Sequence, residues 1–283
     1  MCGGLGNQLF IYAMARRLSL KNVVPLKLDI ISGFKKDCYR RKYLLKYFNI
    51  QAEMASPYES FETALGLIRR RVRITLSQLR KFNKKSYIIE EKKCFDPRIL
   101  NLKISQKVYL QGLWQSEHYF KDIEHIIRQD LEIIRPHDFN TIKVAERMRD
   151  VNSISLHARS YHEVPREDGA TTLSMDYYSK AVNIIARNID NPHFFCFSDN
   201  PEWLRENLKL DFPITIVISC TSDEDFKTIE DFWLMSQCKH HIIANSTFSW
   251  WGAWLNNNPD KIVIAPGGGW NNRDLIPKSW ITI

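Results

Sequence analysis

The 283-residue chain has no run of 18 apolar residues, no C-x-x-C pair, no G-x-x-x-x-G-K-[ST] loop and no G-x-S-x-G elbow. The first absence argues against a membrane-spanning helix. The six cysteines (Cys2, Cys38, Cys94, Cys196, Cys220 and Cys238) are scattered, which argues against a disulfide or zinc framework and for reduced thiols. The missing loop and elbow remove P-loop nucleotide hydrolysis and α/β-hydrolase chemistry. The first residues lack the basic-then-apolar pattern of an export signal, so the expectation is a cytoplasmic protein. No internal repeat or low-complexity tract is present, which excludes solenoids and disordered scaffolds.

What is there is an ordinary soluble composition, 44% hydrophobic and 25% charged, long enough for one large domain or two smaller ones. The net charge of +8 is concentrated. Arg69 to Lys93 holds ten Lys/Arg against two Glu, so the remainder is near neutral. Around it, Leu65, Leu67, Ile68, Val72, Ile74, Leu76 and Leu79 interleave with Arg69, Arg70, Arg71, Arg73 and Arg80, as in a basic amphipathic helix. Two readings stand: a solvated helix face, or peripheral contact of 65–93 with an anionic membrane. Nucleic acid is the weaker partner, because no recognised module surrounds the segment.

The second half alternates strand and helix signals. Ser153–Ala158, His193–Phe197, Ile214–Ser219, His241–Ala244 and Lys261–Ala265 read as strands. Helices are expected from a Ser174 cap to Ile189, from an Asn200-Pro201 start, over Thr228–Cys238 and over Phe248–Asn256. Five apolar strands separated by helices imply a parallel sheet covered on both faces. The first half is less regular. The pattern there predicts a helix over Leu9–Leu18, a strand over Val23–Leu28, helical segments at 55–85 and 116–134, and a strand at Lys107–Leu110. The weakly patterned Pro136–Asp150 is the candidate linker, dividing the chain into domains 1–140 and 151–283.

Polar residues unexplained by packing sit just past the strand ends: His157 and Arg159, Ser198-Asp199, Asn245-Ser246-Thr247, and the Pro266-Gly267-Gly268-Gly269 turn. In open α/β sheets ligands bind at that edge. Asn-Ser-Thr between a strand and a helix aims free N–H groups and hydroxyls at one point, which suits an anion. A guanidinium such as Arg159 can clamp phosphate oxygens bidentately, although a structural ion pair is an equal reading of one Arg alone. Gly4-Leu5-Gly6 fails the dinucleotide fingerprint, whose third small residue would fall at Leu9. What remains is a glycine turn presenting Asn7 and Gln8 at a helix start. Asp223-Glu224-Asp225 has a D-x-D spacing without supporting ligands and reads as a solvated loop, so no metal site is expected.

Three pieces of the sequence, in order, resemble glycosyltransferase family 11, the bacterial α-1,2-fucosyltransferases. They are GGLGNQLF near the start, SLHARSYHEVP at Ser155–Pro165, and CKHHIIANSTFSWWGAWL, the most specific of the three. The resemblance implies an α/β GT-B-like fold: two Rossmann-like domains facing a cleft, the C-terminal one a parallel sheet with helices on both faces. It further implies inverting, metal-independent transfer of L-fucose from GDP-fucose to the 2-hydroxyl of a terminal galactose. The product would be a surface glycan, O-antigen or capsule, made at the inner face of the bacterial inner membrane. By the same resemblance the N-terminal domain takes the acceptor and the C-terminal domain the donor. Arg159 would hold the diphosphate, His157 and Ser198-Asp199 would lie beside the nucleotide, and Asp231 would accept from guanine N–H groups. Asn245, Ser246 and Thr247 would cradle phosphate, and Gly6, Asn7 and Gln8 would reach the donor from the other domain. Trp250, Trp251 and Trp254 are expected to pack the helix onto the sheet.

Two departures stand out. The family's usual H-x-R-R-x-D becomes His157-Ala158-Arg159-Ser160-Tyr161-His162-Glu163, with the second Arg absent and the acid displaced. Glu163 is the expected general base, with His162, a carboxylate elsewhere or the leaving phosphate as alternatives. Family members also carry a strand ahead of the glycine turn, and this sequence has none there, so the first strand of the N-terminal domain is expected to be missing. These departures motivate the competing function, a degenerate homologue that binds nucleotide or glycan without turnover.

Overall fold

A computed structural model of the chain describes residues 1–35, 37–135, 137–159, 173–219, 221–270 and 272–283. The chain divides into two units: Met1–Ile134 with Asn271–Leu275, and Arg135–Trp270 with Ile276–Ile283.

The first unit contains α1 (Leu5–Asn22), β1 (Lys27–Leu28), β2 (Glu53–Met54), α2 (Ala64–Gln78), β3 (Tyr87–Ile89), α3 (Pro97–Leu100), β4 (Tyr109–Gln111) and α4 (Glu124–Asp130). Its strands form two separate parallel pairs, β1 with β2 and β3 with β4. Helix α1 is buried along most of its length, with Leu9, Phe10, Tyr12 and Ala13 sealed from solvent. Tyr12 donates to Asp130 at 2.6 Å, and Arg16 pairs with the same carboxylate oxygen at 2.8 Å. The strand expected over Val23–Leu28 is only its last two residues, because Val23 takes a left-handed φ of 53° and closes α1 instead. The helical expectation for 55–85 reduces to α2. That for 116–134 resolves into two 3-10 turns, Glu117–Tyr119 and Lys121–Ile123, followed by α4.

The second unit runs α5 (Phe139–Asp150), β5 (Asn152–Ala158), α6 (Met175–Asn188), β6 (Pro192–Ser198), α7 (Pro201–Asn207), β7 (Ile214–Ile216), α8 (Glu224–Gln237), β8 (His240–Ile242), α9 (Thr247–Leu255), β9 (Val263–Ala265) and β10 (Ile281–Thr282). The expected linker is therefore mostly α5. Asp138 caps it by accepting from Asn140 and Thr141, and its buried Ala145 and Met148 join the core of this unit. All six strands are parallel, in the order β10-β9-β8-β5-β6-β7. Read from β7, this is the 3-2-1-4-5-6 order of doubly wound nucleotide-binding sheets, with its reversal between β5 and β8.

Side-chain alternation along β6 explains why both faces are covered. Phe194 and Cys196 point into a cluster with Tyr178, Ala181 and Ile185 of α6 and Leu204 of α7. Phe195 and Phe197 point the other way, to Ala145 and Met148 of α5 and Leu234 and Met235 of α8. Each such aromatic, fully buried, contributes roughly 2–3 kcal/mol of transfer free energy. The helices start where the sequence supplies acceptors: Ser174 for α6, Asn200 with Pro201 for α7, and Ser246 for α9. Helix α8 starts about a turn earlier than its apolar spacing suggested, because Asp223 accepts from Phe226 N–H and caps it. The D-x-D carboxylates are thus a cap and a first turn, and Asp223 also pairs with Arg135 at 2.7 Å.

Candidate functional site

The C-terminal edge of the six-stranded sheet gathers most of the residues singled out above. The β5–β6 ladder ends at Ala158 opposite Ser198, and one residue further Arg159 and Asp199 form an ion pair at 3.3 Å. The β5–β8 ladder ends at Leu156 opposite Ile242, so Arg159 and Asn245 each lie three residues past it. Arg159 therefore stands at the reversal of strand order, between the loops after β6 and β8. Its side chain is 43% exposed.

His157 precedes it on β5 and is buried. Its ring lies 5.9 Å from Phe248 of α9, and its backbone carbonyl accepts from Tyr178 of α6 at 3.3 Å. Nδ1 has no partner among the described residues. Burial, joined by the Arg159 cation, pulls the imidazole down to about 3, against the opposing pull of Asp199. A histidine so depressed stays neutral at physiological pH, so it presents a fixed neutral edge and is a poor base.

The turn after β8 is built to hold its shape. Ser246 caps α9 through Phe248 N–H at 3.3 Å, and its carbonyl accepts from Trp250 N–H at 3.1 Å. Asn245 is buried beside the glycine turn after β9, where Gly269 has a φ of +81°. A Cβ at Gly269 would come within 3.2 Å of Asn245 Nδ2. Thr247 is the first residue of α9, whose opening N–H groups face the same edge. Behind them Trp250, Trp251 and Trp254 are buried against one another, with Trp250–Trp251 ring centroids 5.1 Å apart, which is the packing role expected of them. Ser198 Oγ accepts from Asn200 N–H at 3.0 Å, leaving its hydroxyl proton available.

Asp231 lies on α8 beside Phe232, whose ring is 5.5 Å from Phe248. Its Oδ1 is sealed from solvent and accepts no hydrogen bond from the described residues. Burial pushes the carboxyl up to about 7, against the lowering pull of Lys227 one turn back, and neighbouring Glu230 adds to the rise. An acceptor held without donors in a buried position is costly unless a ligand completes it.

In the first unit Asn7 Oδ1 accepts from Gln115 at 2.8 Å, and Gly6 is buried in the first turn of α1. Gly3 takes a φ of +75°, and a Cβ there would lie 2.6 Å from Asn7 Nδ2. Gln8, expected at the donor, is held within the first unit. It is fully buried, donating to the carbonyls of Gly3 (3.0 Å) and Lys42 (2.8 Å) and accepting from Leu44 N–H (3.0 Å). That amide ties the glycine turn to the chain near residue 43 and has both of its N–H donors engaged. Glu163 and His162 lie outside the described residues.

Sequence reasoning missed Glu230. This buried carboxylate accepts from Ser219 Oγ at 2.7 Å and from Asp138 N–H at 3.3 Å, pinning the loop after β7 and the start of α5 beside Asp231. The signal was present, since Glu230 occupies an apolar-face position of α8 together with Phe226, Ile229 and Trp233. Among the described residues no three His, Cys, Asp or Glu converge on one point.

The sequence profile described as Glycosyl transferase family 11 matches residues 2–275. The chain is 31% identical over 301 residues to an alpha-1,2-colitosyltransferase of Escherichia coli, covering 100% of this chain and 97% of that protein. It is 32% identical over 309 residues to the O-antigen biosynthesis glycosyltransferase WbnK of Escherichia coli, covering 100% and 99%. Among solved structures it is similar to a mutant of Arabidopsis thaliana FUT1 in complex with GDP. That likeness has a TM-score of 0.53 at 12% identity and covers 93% of this chain and 68% of that one. With the sheet order above, it shows an α/β fold of the GT-B kind.

Proposed function

Because the chain belongs to glycosyl transferase family 11, we propose that it transfers L-fucose from GDP-fucose to the 2-hydroxyl of a terminal galactose in a surface glycan, O-antigen or capsule. The observation that carries this reading is Arg159, half-exposed at the strand-order reversal and flanked by Asp199 and Asn245. Doubly wound sheets bind nucleotide phosphates at that place. The second unit is then the donor unit and the first takes the acceptor.

The proposed reaction inverts the anomeric carbon. The acceptor 2-hydroxyl oxygen forms its bond to C1 of fucose while the bond from C1 to the β-phosphate oxygen breaks. The hydroxyl proton passes to the Glu163 carboxylate, and GDP leaves with the electron pair. Negative charge grows on the β-phosphate, where the Arg159 guanidinium and the first N–H groups of α9 stabilise it without a metal. His157, held neutral, lies beside the nucleotide and takes no part as an acid or base. Asp231 accepts from the N1–H and 2-amino groups of guanine, which supply the donors that its sealed Oδ1 lacks.

The colitosyltransferase relative supports a second donor. Colitose is fucose without the 3-hydroxyl, so the guanine and diphosphate contacts serve both sugars. A GDP-release assay with GDP-fucose, GDP-colitose and a panel of terminal galactosides decides. Release from GDP-fucose, dependent on a free 2-hydroxyl, supports the proposal. Release from GDP-colitose alone replaces the donor sugar. Nucleotide binding without release across the panel identifies a degenerate binding protein and overturns the enzyme reading.

A further inference from the structure

Helix α2 carries its side chains the opposite way round from an ordinary surface helix. Gly66, Arg69, Arg70, Arg73 and Ser77, at helical spacing, face the protein. A Cβ on Gly66 would meet the Phe61 backbone at 2.7 Å. The Arg69 guanidinium lies over the Tyr58 ring at 3.6 Å, and that of Arg73 over Tyr109 at 5.0 Å. Arg70 donates to Tyr87 Oη at 3.0 Å and to Gln111 Oε1 at 2.8 Å. Ser77 Oγ accepts from Ser86 N–H at 3.1 Å and Tyr87 N–H at 2.9 Å. The polar face is thereby used internally, and the apolar row Leu65, Ile68, Val72, Leu76 and Leu79 is turned outward. Every member of that row is at least half exposed, from 50% at Leu76 to 81% at Leu79.

A continuous exposed apolar row marks an interaction surface. At its C-terminal end a recess of about 380 Å³ is lined by Arg80, Lys84, Lys85 and Lys103, together with Asn83, Ser105, Gln106 and Val108. The segment from Arg69 to Lys93 carries ten Lys/Arg against two Glu, so a second copy facing it would oppose cation with cation. An anionic lipid surface complements both features, offering acyl chain to the row and phosphate to the recess. The helix has 15 residues, or about 22 Å at about 1.5 Å per residue, shorter than the roughly 30 Å hydrocarbon core of a bilayer. No helix among the described residues is long and apolar enough to cross a membrane.

We propose that α2 seats the protein on an anionic phospholipid surface. The apolar row enters the boundary between headgroups and acyl chains, and the four cations of the recess engage headgroup phosphates. This holds whichever sugar the second unit carries.

The test is co-sedimentation of the full chain with vesicles of equal phosphatidylglycerol and phosphatidylcholine, and with phosphatidylcholine alone. The wild type is expected to sediment with the anionic vesicles only, less so as salt rises. The double variant Arg80→Gln/Lys84→Gln lowers the partition coefficient by about 25-fold, at about fivefold per cation. The double variant Ile68→Ser/Leu76→Ser lowers it by at least about tenfold. Both keep the wild-type melting temperature and GDP release toward a soluble galactoside, because all four side chains are outside the core and the donor site. Equal sedimentation with both lipids, no sedimentation at all, or serine variants that bind like wild type would each overturn the proposal. A wild-type dimer in sedimentation equilibrium that the serine variant dissociates, with vesicle binding unchanged, would assign the row to a second copy instead.

Discussion

Replacing Asp231 by asparagine tests the donor pocket through its electrostatics. Burial holds this carboxyl at about 7, against its usual 3.8. Because the folded-state value lies above the unfolded one, the unfolded chain releases the proton first as pH rises. Stability is therefore lost between about pH 4 and pH 7 and stays flat above. At about 1.4 kcal/mol per unit, ionised Asp231 costs the ligand-free fold about 4 kcal/mol above pH 7. Asp231→Asn removes that cost but buries an amide with unmet partners, at about 1–3 kcal/mol. The net gain is about 2 kcal/mol, or roughly 5 °C in melting temperature at pH 8, and it turns into a net loss of about 2 kcal/mol near pH 4, where the wild-type carboxyl is neutral and only the amide cost remains. Binding runs the other way. Guanine N–H groups need the ionised acceptor, so affinity scales with the ionised fraction. That fraction falls from about nine-tenths at pH 8 to about one-tenth at pH 6. Calorimetric titration with guanosine, which has no phosphate to titrate, should show about a tenfold loss over that range in the wild type. The variant should bind weakly at every pH. A flat wild-type profile from pH 5 to pH 8, or a variant no more stable at pH 8 than at pH 5 relative to wild type, would refute the reasoning.

The other predictions concern the supports of the site. Gln8→Leu leaves the Gly3 and Lys42 carbonyls and the Leu44 N–H without partners, at a cost of about 2–4 kcal/mol, and denaturant titration should show the first unit unfolding earlier. Gly269→Ala forces a side chain onto a φ of +81° against Asn245, costing roughly 1–2 kcal/mol. It should also weaken GDP binding in the same titration, whereas Gly268→Ala, with nothing within 4 Å of its Cβ, should leave binding intact.

Legibility differed between the two halves for physical reasons. β6 is buried on both faces and carries the unbroken run Phe194–Phe197, while β5, equally buried, alternates Ile154, Leu156 and Ala158 with Ser153, Ser155 and His157, a period of two that no helix fits. β2 and β10 are two-residue, exposed edge pieces with no pattern to read. Helix α5 was mistaken for a linker because its core face is small, chiefly Ala145 and Met148, while its larger apolar residues Phe139 and Ile142 are exposed among charges. The placement of Arg159, Asp199 and Asn245 at the strand-end edge was legible because each directly follows a buried apolar or alternating run. The buried tie of Gln8 to Lys42 and Leu44 was not legible, because those partners lie 34 to 36 residues further along, a distance that no local spacing reveals. Asp231 could be singled out only through resemblance, since nothing in the sequence of α8 distinguishes it from a solvated acid.

The central claim is that Arg159 at the strand-order reversal stabilises the departing diphosphate. The direct measurement is single-turnover sugar transfer by Arg159→Ala, with thermal melting and GDP affinity recorded on the same preparation. The account predicts a loss of about a hundredfold or more in the transfer rate, about 3 kcal/mol of transition-state stabilisation, with the melting temperature unchanged. Transfer at a near-native rate by a folded Arg159→Ala protein would contradict it.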